Sequence, residues 1–249
     1  MSLRTKKDNI FFILPEDRYS ISKKVDEHMA NDFTLFIKAK INNESLEKDK
    51  TFFLFSRNGQ HSGISILKNE WNQLFCAFCW WVEDEKTGEA SYESVQFQIK
   101  EEIQDDENEY VMICDNKQQI IKCYFNGSEM GIIDYKNKKK KGYEGAFYWF
   151  GCGSMIVEEQ HQYIGDFDFH LAFLIDKAIE ISVVDNLANN YESFTYDMHN
   201  GLRKINNDFY LKDNFAFFCD FNKKTRYKIW DMTFSGNYPQ VYMENNIYF

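Results

Sequence analysis

Glu109-Tyr110-Val111-Met112-Ile113-Cys114-Asp115 is followed by Asn116-Lys117, then Gln118-Gln119-Ile120-Ile121-Lys122-Cys123-Tyr124-Phe125, then Asn126-Gly127 and Ser128-Glu129-Met130-Gly131. Apolar runs alternate here with short pairs of turn-forming residues, which predicts strand, turn, strand, tight turn, strand. Asn and Gly tolerate the positive φ that a two-residue hairpin turn requires, so Asn126-Gly127 has a physical reason to be the second turn. This stretch points to antiparallel β architecture.

Working outward, the rest of the chain reads as many short strands with Gly, Asn and Asp between them. Strands are expected over residues 10–14, 32–41, 51–56, 63–67, 74–83, 94–99, 146–150 and 163–175. Residues 74–83 are apolar on both faces, which predicts a mid-sheet strand covered on both sides. After residue 176 the period changes. Ile181, Val184 and Leu187-Ala188 carry helical spacing, so one short helix is expected within 177–191. Two more strands are expected in the tail, over 215–221 and 227–234. Many short strands with one late helix indicate a sandwich or jelly roll.

Composition agrees and excludes some functions. Among 249 residues there are 24 Phe and 15 Tyr, ample for a large aromatic core, and only Pro15 and Pro239 interrupt the chain. The formal net charge of -10 disfavours nucleic acid and anionic membrane, both of which need clustered cationic charge. The one basic run, Lys136 to Lys141, reads as a solvated loop. No run approaches the ~20 apolar residues of a membrane span, and no signal-length apolar core stands near the N-terminus, so a cytoplasmic location is expected. Cys76 and Cys79 stand three apart within an expected strand and therefore face opposite ways, which does not suit one shared metal. They read as buried free thiols. Cys114 and Cys123 flank the first turn, and nothing in the sequence indicates a disulfide between them.

Several segments, in order, resemble the laminin G-like, or concanavalin A-like lectin/glucanase, superfamily. Asp32 to Lys40 resembles its early strand, and Phe53-Leu54-Phe55-Ser56-Arg57-Asn58 the strand that follows. Tyr110 to Asp115 and Cys123-Tyr124-Phe125-Asn126-Gly127 resemble its central hairpin. Phe150-Gly151-Cys152-Gly153 and Gly165 to Phe173 resemble its closing strands. The resemblance spans residues 8–190. It departs from the pattern at Asn108 or Glu109, where Trp or His is usual, and at Asp176 or Lys177, where Arg is usual. Residues 191–249 are expected to form a C-terminal strand extension packed on the same sandwich, because the roughly 35 residues from Phe215 onward cannot bury a core alone. The whole chain, 1–249, is then one β-sandwich domain.

The expectation is an all-β, concanavalin A-like jelly-roll sandwich of two antiparallel sheets with one short late helix. The resemblance implies a noncatalytic, lectin-like module that binds a glycan or oligosaccharide, of a kind that accompanies larger glycan-processing proteins. Aromatic platforms for sugar rings are sought among Trp71, Trp80, Trp81, Tyr92, Tyr148 and Trp149. Trp80 and Trp81 must point to opposite faces, one into the core. Asn58 and His61 stand in a loop that could frame the same surface. Some relatives hold calcium at the sandwich rim, for which Asp115, Asp134 and Asp166 are the candidates. Two alternatives stand beside this reading. A glycoside hydrolase with a divergent site requires two facing carboxylates; Asp166, Asp168 and His170 alternate on one strand but lie at the domain's end, not on a central strand. A protein–protein or oligomerisation sandwich requires a flat apolar patch.

Overall fold

The structure is a computed structural model. It describes residues 29–56, 62–140, 150–151, 165–193, 215 and 217–222 in full, and the backbone of strand residues 3–4, 10–14, 57, 148–149, 194–197, 201–204, 210–211, 216, 223–224, 229–231, 240–243 and 246–247. The chain opens with β1 (Leu3–Arg4), β2 (Ile10–Leu14), β3 (Phe33–Ile41), β4 (Lys50–Arg57), β5 (Ser62–Lys68), β6 (Leu74–Asp84) and β7 (Ala90–Gln98). There follow β8 (Glu107–Asp115), β9 (Ile120–Phe125), β10 (Ser128–Asp134), β11 (Lys138–Lys140), β12 (Tyr148–Phe150), β13 (Phe167–Ile175) and the helix α1 (Ile181–Asn190). The last strands are β14 (Phe194–Asp197), β15 (Gly201–Lys204), β16 (Tyr210–Leu211), β17 (Phe215–Lys224), β18 (Ile229–Asp231), β19 (Gln240–Met243) and β20 (Asn246–Ile247).

Two antiparallel sheets face each other as a jelly-roll β-sandwich. The first runs β10-β9-β8-β3-β13-β17-β18, with β1 also on β13. The second runs β11-β6-β5-β4-β12-β2-β19-β20, with β7 on the free side of β6. A small sheet of β14, β15 and β16 stands apart from both. The C-terminal extension enters both main sheets, β17 beside β13 and β19 beside β2.

The core forms where alternation turns apolar side chains inward. Phe33, Leu35, Ile37 and Ala39 of β3 meet Leu74, Cys76, Phe78, Trp80 and Val82 of β6 in one buried cluster. A second cluster covers the outer face of the first sheet. There Phe36, Phe173 and Phe218 stack across β3, β13 and β17, with centroids 4.8 and 5.2 Å apart and ring planes within 9°. Val184, Leu187 and Ala188 of α1, spaced three and four apart, close over them.

Turn chemistry follows the sequence at one end of the first hairpin and departs from it at the other. Asn126 (φ 48°) and Gly127 (φ 74°) make the expected tight turn. The β8–β9 turn is longer than two residues, because the Asp115 carboxylate accepts the Gln118 backbone N–H at 2.9 Å and its side-chain amide at 2.6 Å. The basic run also departs from expectation. Lys138–Lys140 is a strand paired with β6, not a loop. Each lysine has a partner there. Lys138 pairs with Glu93, and Lys139 with Glu83 at 2.9 Å. Lys140 Nζ donates to the Met29 and Asn31 carbonyls and lies 3.2 Å from Cys114 Sγ.

β4 carries a bulge between Phe53 and Phe55, and Gly63 sits beside it in β5 with φ +141°. A Cβ on Gly63 would lie 2.1 Å from the Phe55 carbonyl oxygen, a backbone atom that cannot yield without breaking the ladder. Gly63→Ala is expected to destabilise the fold by roughly 1–3 kcal/mol, the cost of a forbidden backbone conformation plus a steric shift. Urea unfolding of the purified variant should show a lower midpoint with an unchanged slope.

Candidate functional site

β6 and β7 pair without irregularity from Phe75↔Gln98 to Glu83↔Ala90. Parity therefore sorts every side chain. Leu74, Cys76, Phe78, Trp80 and Val82 are buried between the sheets, while Phe75, Ala77, Cys79 and Trp81 are half-buried on the outer face. The expectation that residues 74–83 are covered on both faces is corrected: the strand is second from the edge, and only its inner face is fully packed. Its outward apolar column lies beside a polar one, since Cys79, Ala77 and Phe75 face Ser94, Gln96 and Gln98 of β7.

At the end of this column Trp81 stacks on Tyr92, with centroids 6.0 Å apart and planes 15° apart. Tyr92 is 52% exposed. Glu83 continues the column and holds Lys139. Toward the other end, Leu67 stands opposite Phe75 and is 38% exposed. Trp71 is 73% exposed in a turn that the Asn69 side chain organises by accepting the Trp71 and Gln73 N–H groups. The outer face thus combines flat apolar area with hydroxyl, amide, carboxylate and ammonium groups. That combination suits an amphipathic ligand with apolar faces and polar edges.

The residues singled out in the sequence fall in different places. Trp80 is 0% exposed, packed 5.1 Å from Phe33, and is corrected to a core residue; parity with outward Trp81 requires it. Tyr148 and Trp149 have their backbones in β12, paired with Arg57 and Ser56, and their side chains lie outside the described residues. Asn58 and His61 also lie outside them. The three aspartates do not converge. Asp115 and Asp134 flank Ile120 at one end of the first sheet, whereas buried Asp166 precedes β13 at the opposite end, where its backbone carbonyl accepts the Asn42 N–H. One cation cannot join all three. Asp115 is engaged by Gln118, and Asp134 accepts the Lys136 N–H and ammonium, each at 3.0 Å. The Lys136 N–H and ammonium also hold the Asp134 carboxyl below its ordinary value. Among the described residues no three His, Cys, Asp or Glu side chains group as metal ligands.

His170 sits at a bulge in β13, with Nε2 3.4 Å from Glu107. Burial holds its imidazole below the usual value, against the pull of Glu107 and Asp168. This group lies on the first sheet, across the sandwich from Trp81. Sequence reasoning did not single out Ser94, Gln96, Glu83 or Lys139 as parts of a surface. The signal was the alternation of β7, which places Gln98, Gln96 and Ser94 beside outward Phe75, Ala77 and Cys79 of β6.

No protein-family model matches the sequence, and no curated protein matches it significantly. Solved structures do match. The crystal structure of a "putative carbohydrate binding protein" from Bacteroides ovatus aligns over 96% of this chain and 57% of that one, with a TM-score of 0.53 and 11% identity. A heptameric SAP-like pentraxin from Limulus polyphemus aligns over 72% of this chain and 81% of its own, with a TM-score of 0.40 and 11% identity. The binding domain of botulinum neurotoxin DC in complex with SialylT aligns over 70% and 39%, with a TM-score of 0.45 and 15% identity. The chain spans little more than half of the Bacteroides ovatus protein, and their likeness is one of fold.

Cys79 shares the outer face with Trp81. Burial pushes its thiol up to about 11, against a hydrogen bond to the Gly63 carbonyl that pulls it down. Only thiolate reacts with alkylating agents, so at pH 8 the folded protein should modify Cys79 roughly a hundredfold more slowly than the unfolded chain. Peptide mass mapping after timed iodoacetamide treatment, with and without urea, checks this.

Proposed function

We propose that this protein is a noncatalytic carbohydrate-binding module of laminin G-like or concanavalin A-like type, with the outer face of β6 and β7 as its ligand platform. The observation that carries the reading is the stacked Trp81–Tyr92 pair, open to solvent on Tyr92 and continued by the polar column Ser94, Gln96 and Gln98. A sugar ring has the same two-sided character, C–H faces that pack on an aromatic ring and hydroxyls that need donors and acceptors. The pair is already ordered by cross-strand packing, so little side-chain entropy is lost on binding. The fold shared with the Bacteroides ovatus protein along almost the whole chain, and that protein's carbohydrate-binding name, support the same reading. Fold alone does not assign function, and the weight rests on the platform.

The test is a broad glycan array probed with the full chain, repeated with calcium and with a chelator. Selective binding is expected. Trp81→Ala and Tyr92→Ala should each weaken it roughly two- to tenfold, as loss of an aromatic contact worth ~0.5–1.5 kcal/mol implies. Trp71→Ala, far along the face, should leave it nearly unchanged. Loss on chelation would place a calcium ion at the site's rim. A blank array in both conditions, or full binding by Trp81→Ala, would end this reading.

A further inference from the structure

The helix leaves part of the first sheet uncovered. α1 and the segment before it close over β3, β13, β17, the near side of β8 and Tyr124 of β9, while β10 lies beyond them and its Ile132 is 45% exposed. Between β8, β9 and residues 178–181 lies a cavity of about 140 Å³. Its walls include Ile113, Ile179 and Ile181.

Lys122 lies at the middle of this surface. Its register partners are Ile113 on one side and Ile132 on the other, so its half-buried stem stands among apolar neighbours. Among the described residues its ammonium makes no hydrogen bond or ion pair. Asp115 and Glu180 line the same cavity. In the adjoining cleft, where Lys117 also lies, Asp134 is paired with Lys136. Glu180 stands at the N-cap of α1 without bonding the helix through its side chain. Burial raises the Tyr124 phenol above its ordinary value, and the nearby Glu129 and Glu180 carboxylates raise it further.

A cation in a cavity rimmed by two carboxylates selects against ligands of one sign. An anion drawn to Lys122 meets the rim, and a cation drawn to the rim meets Lys122. A ligand that carries both charges a few bonds apart satisfies both. We propose that this cavity binds a free α-amino acid with a short apolar side chain, its carboxylate on Lys122, its ammonium toward Glu180 and Asp115, and its side chain against Ile113 and Ile179. The size fits a short side chain, since a cavity of ~150 Å³ can hold a benzene-sized molecule. This site lies across the sandwich from Trp81 and does not depend on the glycan reading.

The test is an NMR titration of the ¹⁵N-labelled full chain with L-valine. Acetate and methylammonium serve as single-charge controls, and L-tryptophan as the size control. Saturable shifts are expected at the amides of Lys122, Tyr124 and Ile179 to Ile181, and the three controls should bind at least about tenfold more weakly. Lys122→Met keeps the apolar stem and Glu180→Gln keeps the shape. Each should keep a folded spectrum and weaken valine binding by about tenfold. No shifts with valine, shifts confined to other regions, equal binding of acetate, or undiminished binding by Lys122→Met would each overturn the proposal.

Discussion

Phe150 ties the two sheets together. From β12 in the second sheet its ring meets Phe55 at 5.2 Å within that sheet, and Phe169, Phe217 and Phe221 of the first sheet at 5.7, 5.8 and 5.8 Å. All four are edge contacts, the arrangement that the ring quadrupole favours, and each adds ~0.5–1.5 kcal/mol beyond the area buried. One ring on β12 therefore touches three other strands, β4 in its own sheet and β13 and β17 in the other. The C-terminal extension belongs to the sandwich for this reason. Phe217 and Phe221 are half of the partners that Phe150 has in this cluster.

Much of this was legible in the sequence because its causes are local. Asn126-Gly127 takes positive φ at both positions whatever surrounds it, and the alternation of β3 and the spacing of Val184, Leu187 and Ala188 depend only on nearby residues. What could not be read is decided by residues far away. Lys138–Lys140 looks like a solvated loop until Glu83 and Glu93 are placed beside it. Trp80 and Trp81 were expected on opposite faces, but which one enters the core is settled by the register of β6 against β5 and β7. Asp115 and Asp166 seemed able to share a rim until pairing put them at opposite ends of nine-residue strands.

The same alternation makes the outer faces of the sandwich unlike. On the first sheet outward Phe36, Leu171, Phe173, Ile175 and Phe218 of β3, β13 and β17 are too apolar to meet water, and α1 covers them. On the second, the outward residues of β7 beyond Tyr92 are Ser94, Gln96 and Gln98, which remain soluble without a cover. The candidate platform is open because its neighbouring strand is polar. The fold itself is indifferent to which sheet is covered, so the choice lies in a handful of outward positions.

The pairing of β2 bears on how the chain is made. Its neighbours are β12 and β19, with Phe12 placed between Phe150 and Val241. The hairpins of β4 to β7 and of β8 to β10 can form as soon as they leave the ribosome, since their partners are adjacent in sequence. The Ile10–Leu14 segment is made well before either of its partners, since β12 and β19 both lie far downstream. Until they follow, this apolar strand has no ladder to join, and it is then exposed to the wrong partners. A chaperone that holds nascent apolar segments has a reason to hold this one until β12 is made.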